Sequence, residues 1–189
     1  SASDKTAGST LTASDWSNLM DDVKDVFDAR NAVPSGSLTT DASGTTSRTA
    51  AWGSSSTAQI THEFTATFAS EAHCRGFFNA GGEVLFTASR SGGTSGSSAG
   101  TIGSQNSNWT STLSALGTLT FSLDNLVSSG STGTSASKGF MELTTGYVQM
   151  YIKYGSGSYA SNYYQLHAKV NSTTNPTVIT FKVTMRDDH

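Results

Sequence analysis

Side chains able to act as acids, bases or metal ligands are few and scattered in this chain. Between residues 51 and 186 the carboxylates are Glu63, Glu71, Glu83, Asp124 and Glu142, and Asp187, Asp188 and His189 close the sequence. General acid–base catalysis needs two titratable groups held on a rigid frame. Glu63 and Glu83 are expected on paired strands, where they would face each other as a solvated pair. Asp187, Asp188 and His189 have cation-binding chemistry but read as a frayed end. His62 falls on the apolar parity of a strand with no second ligand two or four residues away, so it reads as a core or interface histidine. Cys74 is the single cysteine, which excludes an internal disulfide, and it reads as a small buried hydrophobe. There is no Walker loop or H-E-x-x-H, and Gly81-Gly82-Glu83 closes a helix where a phosphate loop would open one. The expectation is a protein that is not an enzyme, with no catalytic residues, no metal site and no cofactor.

Tyrosines offer the other chemistry. Tyr147 and Tyr151 are predicted on one face of a strand, and Tyr159, Tyr163 and Tyr164 lie just beyond the turn at Gly155-Ser-Gly157. Aromatics interleaved with Asn, Gln and Ser serve sugar-binding faces and protein interfaces alike. Three readings stand: cross-strand packing within the sheet, a subunit contact, or a glycan contact at Tyr147, Tyr151, Tyr159 and Tyr163.

Composition limits the partners. Ser and Thr make up about a third of the 189 residues, and charged residues only 13%, roughly half the usual share. So few charges give little protection against association, which favours a surface taken up by homo-oligomeric or other protein partners. A net charge of -3 with scattered Lys and Arg argues against nucleic acid. No run approaches a membrane span, and Ser1-Ala-Ser-Asp-Lys5 lacks the apolar core of a secretion signal.

The positioning elements divide the chain in two. Residues 1–50 read as an arm, an amphipathic helix and an extended linker between subunits; residues 51–189 read as a single α+β core domain. Thr12 and Asp15 form a short-acid capping box, and Trp16, Leu19, Met20, Val23, Val26 and Phe27 follow at helical spacing. Two heptads are too few for a free-standing coiled coil, so the stripe packs either on its own domain or on a neighbouring subunit. From Val33 to Thr57 the chain is rich in Ser, Thr, Gly and Pro, with Trp52 as the expected anchor.

Within the core, Ile60, His62, Phe64, Ala66 and Phe68 alternate as a strand. Ser70 caps a short helix that runs through Phe78, with Gly81 and Gly82 as a positive-φ exit, and Val84, Phe86 and Ala88 give the next strand. Ser89 to Gly100 reads as a flexible loop. Asn108 is expected to cap a helix carrying Trp109, Leu113 and Leu116, closed by Gly117. Strands then follow at Leu119–Leu123, Tyr147–Tyr154, Leu166–Val170 and Ile179–Met185. This order predicts an α+β fold: a mainly antiparallel β-sheet or sandwich with short packed helices, preceded by the N-terminal helix and its extended arm.

One run has family-like order: Ser70-Glu-Ala-His-Cys-Arg-Gly-Phe-Phe-Asn-Ala-Gly-Gly-Glu-Val-Leu-Phe86. With Ser89-Arg-Ser-Gly-Gly93, Asn108-Trp109, Leu113 to Phe121 and the Tyr-rich region from Tyr147 to Tyr164, it resembles the helix-FFNAGG-strand pattern of tailed-phage, cyanophage-like virion structural proteins. The resemblance covers most of residues 59–189. It implies a multi-copy tail, baseplate or fibre-region component, assembled in the host cytoplasm and carried in the virion among other virion proteins. A capsid decoration protein and a carbohydrate-binding fibre module are the alternatives.

Overall fold

The computed structural model describes residues 9–30, 39–40, 59–90, 99–130 and 133–188. These residues form an α+β fold with, among them, two antiparallel sheets and three α-helices. Helix α1 spans Ala13–Arg30, α2 Glu71–Asn79 and α3 Ala99–Leu116. The strands are β1 (Thr39–Thr40), β2 (Gln59–Thr67), β3 (Val84–Phe86), β4 (Leu119–Phe121), β5 (Leu126–Ser128), β6 (Thr134–Ser135), β7 (Val148–Tyr154), β8 (Tyr163–Val170) and β9 (Val178–Arg186). The larger sheet has the order β1-β2-β9-β8-β7-β6 and the smaller β3-β4-β5.

Alternation along the strands decides which faces meet. Ala66, Leu166, Ala168, Ile179 and Phe181 project inward from the large sheet, and Val84, Phe86, Leu119 and Phe121 answer from the small one. Phe181 joins the layers, with its ring centroid 4.9 Å from Phe86 and 5.2 Å from Phe121. Helix α2 plugs one side of this core through Cys74 and Phe78, and Phe78 stacks on Phe140 at 4.5 Å and 9°. Helix α3 contributes the expected stripe of Trp109, Leu113 and Leu116.

The α2–β3 connection is built as a helix stop. The Ser70 hydroxyl accepts from the His73 amide at 3.2 Å at the start of α2. At its end Gly81 N–H donates to Phe78 O at 2.9 Å and Gly82 N–H to Phe77 O at 2.8 Å, the paired bonds of a Schellman motif. Of the two glycines Gly81 alone has positive φ, at 83°, which corrects the expectation for Gly82. Gly82 is needed for space: a Cβ there would lie 2.6 Å from both the ring and the carbonyl oxygen of Phe77.

Two further expectations are corrected. Helix α3 begins at Ala99, so Asn108 lies inside it and does not cap it; its amide donates to Ser156 O at 3.2 Å and to Ser156 Oγ at 3.0 Å, tying α3 to the β7–β8 connection. In β7 the register shifts between Gln149 and Tyr151. The extra residue, Met150, reverses the parity beyond it, and Tyr151 and Lys153 turn into the core at 1% and 6% exposure.

Candidate functional site

Two surfaces hold the residues singled out from the sequence. The first is α1. Its start follows the expected box: the Thr12 amide donates to Asp15 Oδ2 at 2.8 Å, and the Asp15 amide to Thr12 Oγ1 at 3.3 Å. The helix runs beside α2. Its half-covered described side chains are Asp15 and Asp22, seven residues apart on one flank. The apolar stripe looks outward: Trp16, Leu19, Met20, Val23, Val26 and Phe27 are 44–64% exposed. Trp52 lies outside the described residues, as does most of the Val33–Thr57 linker. Within that linker Thr39 and Thr40 pair with Thr65 and Phe64 of β2. Nine residue steps separate Arg30 from Thr39, a reach of roughly 30 Å at most, so α1 is tied to the β2 side of the large sheet.

The second surface is the outer face of that sheet. Glu63 on β2 pairs with Lys182 on β9, Lys182 with His167 on β8, and His167 with Gln149 on β7. Tyr147, just before β7, crosses this row. Its hydroxyl donates to Glu63 Oε1 at 2.5 Å, and the ammonium groups of Lys182 and Lys169 stand 3.9 and 4.4 Å from its ring centroid. Neighbouring strands lie about 4.8 Å apart, so the side chain extends along the sheet over two strands to reach a third. His167 meets the same ring edge-on at 6.3 Å; burial first, and then the Lys182 charge, hold its pKa below the ordinary histidine value.

This geometry sorts the tyrosines. Tyr151 is corrected from a contact residue to a core residue, because the β7 bulge turns it inward against Tyr164. Burial pushes the pKa values of both phenols up. Tyr147 is engaged with Glu63 and two lysines, so it is not a bare aromatic platform. Tyr163 is half-buried on the outer face beside Tyr154, which is 55% exposed, with ring centroids 6.0 Å apart. Tyr159 sits half-buried in the turn between β7 and β8. Tyr154 was missed because simple alternation puts it on the face opposite Tyr147, and only the bulge brings the two to the same side.

Among the described residues little else is arranged for chemistry. Glu63 pairs with Lys182 while Glu83 precedes β3 in the other sheet, so the expected facing pair does not form. His62 is half-buried on the core parity opposite Val183 and stacks on Phe64 at 6.1 Å. Cys74 is fully buried, its thiol pushed up to about 11 by burial. A shallow groove of about 290 Å³ runs between Arg75, Met141, Glu142, Thr173 and Pro176. Arg75 is committed within the protein, to Glu71 at 2.6 Å and to the carbonyls of Thr173 and Thr174 at 3.3 and 3.1 Å. Among the described residues no group of three His, Cys, Asp or Glu side chains is placed to hold a metal ion, and no helix is long and apolar enough to cross a membrane. His189 lies outside the described residues. No protein-family model, curated protein or solved structure matches the chain.

Proposed function

We propose that this chain is a virion structural protein of a tailed phage, a multi-copy component of the tail, baseplate or fibre region that works by assembly and not by catalysis. The observation that carries the assembly reading is the outward stripe of α1. Six large apolar side chains on one short helix stay 44–64% exposed although the helix already lies beside α2. Apolar patches of this kind are characteristic of surfaces that another protein covers. The sparse charge and the dispersed acids favour the same reading, and the resemblance of Ser70–Phe86 and the segments after it supplies the phage context.

A second reading, a carbohydrate-binding module of a fibre, rests on Tyr154 and Tyr163, which present an aromatic pair on the outer sheet face. The deciding experiment is quantitative mass spectrometry of purified virions, followed by placement of the chain in cryo-electron density. Many symmetric copies in the tail, baseplate or fibre support the proposal. Absence from mature particles overturns it, and a position on the capsid shell moves the chain to a decoration role.

A further inference from the structure

The stripe of α1 has a partner that its own pattern describes. On a heptad frame Trp16 and Val23 take a positions, Leu19 and Val26 d positions, and Met20 and Phe27 e positions. This a/d/e band is the face a helix offers to another helix. We propose that α1 of one copy pairs with α1 of a second copy, antiparallel and about a two-fold axis; the inference rests on the assembly reading above and names the partner of that surface.

Charge selects the antiparallel arrangement. Residues 13–21 of α1 carry Asp15 and Asp21 and no base, whereas residues 22–30 carry Asp22, Asp25 and Asp28 together with Lys24 and Arg30. Parallel pairing would set the two base-free halves side by side and align like ends of the two helix dipoles. Antiparallel pairing places each base-free half beside the partner half that holds Lys24 and Arg30, and sets opposite dipole ends together. It also sets Trp16 of one helix near Phe27 of the other, with Met20 and Val23 meeting about the axis. An isologous contact of this type closes without leaving a free patch.

The area is sufficient. Six apolar side chains about half exposed offer on the order of 100 Å² each, so the pair would bury roughly 1,200 Å², the lower end of specific interfaces. Two heptads alone would be marginal, but here α1 already lies beside α2.

Buried Cys74 leaves a quiet background for engineered thiols. Ala13→Cys and Arg30→Cys mark the ends of α1, 17 residues or roughly 26 Å apart along a helix. The full chain carrying each substitution, alone and mixed, is treated with a short bismaleimide, and sedimentation velocity is run in parallel. The proposal expects a species of twice the 19.6 kDa chain mass and cross-linking of Ala13→Cys to Arg30→Cys chains only in the mixture. It also expects Val23→Asp to weaken association by at least about tenfold, through burial of an unpaired charge, with an unchanged circular dichroism spectrum. Efficient cross-linking within the Ala13→Cys sample alone overturns the antiparallel pair while leaving assembly through α1 standing. A monomer up to high micromolar concentration overturns self-pairing altogether; presence in the virion, read separately by mass spectrometry, then decides whether the assembly reading survives with a different partner.

Discussion

The Tyr147 hydroxyl donates to the Glu63 carboxylate at 2.5 Å across a sequence separation of 84 residues, its ring lying beneath the ammonium groups of Lys169 and Lys182 from the two intervening strands. One side chain thus straps four strands of the large sheet on its outer face. Hydrogen bonds to charged groups contribute about 1.5–3 kcal/mol, and partial exposure places this one toward the low end. Tyr147→Phe keeps the ring under the lysines and loses only the hydroxyl, so it is expected to cost about 1–2 kcal/mol. A double-mutant cycle with Glu63→Gln in urea denaturation reads the coupling; zero coupling would show that the strap contributes nothing.

Phe78 is the hub of the α2 contact, packed on Phe121 at 5.7 Å and stacked on Phe140 at 4.5 Å with 1% exposure. Phe78→Ala is expected to lose about 3–5 kcal/mol. Chemical denaturation checks this, and a midpoint within error of the parent chain refutes the packing.

Gly81 and Gly82 are adjacent yet required for different reasons, which predicts unequal tolerance. Around Gly81 nothing lies within 4 Å of an added Cβ, so Gly81→Ala meets only the left-handed backbone cost, about 1 kcal/mol. At Gly82 any Cβ meets the Phe77 ring and carbonyl at 2.6 Å. Gly82→Val must therefore break the helix stop and is expected to cost several times more. Equal melting temperatures for the two variants would contradict this assignment.

The same pair marks how far the sequence was legible. A double glycine after Phe77-Phe78 announces a helix stop, and strict alternation announces β2 and β9, because those signals are local. The Met150 bulge has no such signal: Gln149-Met150-Tyr151 contains no glycine, and the fold alone turns Tyr151 and Lys153 inward. The strap from Tyr147 to Glu63 is equally hidden, since it depends on the order β2-β9-β8-β7, which long-range pairing decides. Helix α3 starts at Ala99, nine residues before the expected cap, and Asn108, a good cap in isolation, instead bonds Ser156 from inside the helix.

His167 predicts a pH dependence. Its folded pKa is lowered first by burial and then by the Lys182 charge, the Tyr147 ring borders it edge-on, and its Nδ1 has no partner among the described residues. The unfolded chain therefore takes up a proton near the ordinary value of 6.5 while the fold still excludes it. The contribution of His167 is full above pH 6.5 and is lost as pH falls through that value toward the lower folded pKa. Urea denaturation at pH 7.5 and pH 5 should show the native chain losing more stability than His167→Gln. Identical losses in both chains would remove His167 as the cause.

Deleting residues 1–30 separates assembly from folding. The core of Phe78, Phe121, Leu166 and Phe181 lies entirely in β2 to β9 and their helices. Helix α1 keeps its large apolar side chains out of that core, so its removal takes no buried aromatic or aliphatic side chain from it. Thr39 and Thr40 remain to pair with β2. The truncated chain is expected to keep a cooperative thermal transition and the β-sheet signature in circular dichroism, and to elute as a monomer at concentrations where the full chain associates. Apolar burial of ~25 cal/mol per Å² over the stripe is what the truncation removes from association, and almost none of it was available to the fold. A truncated chain that unfolds would mean that α1 stabilises α2 directly, and one that associates as the full chain does would move the interface to the outer sheet face.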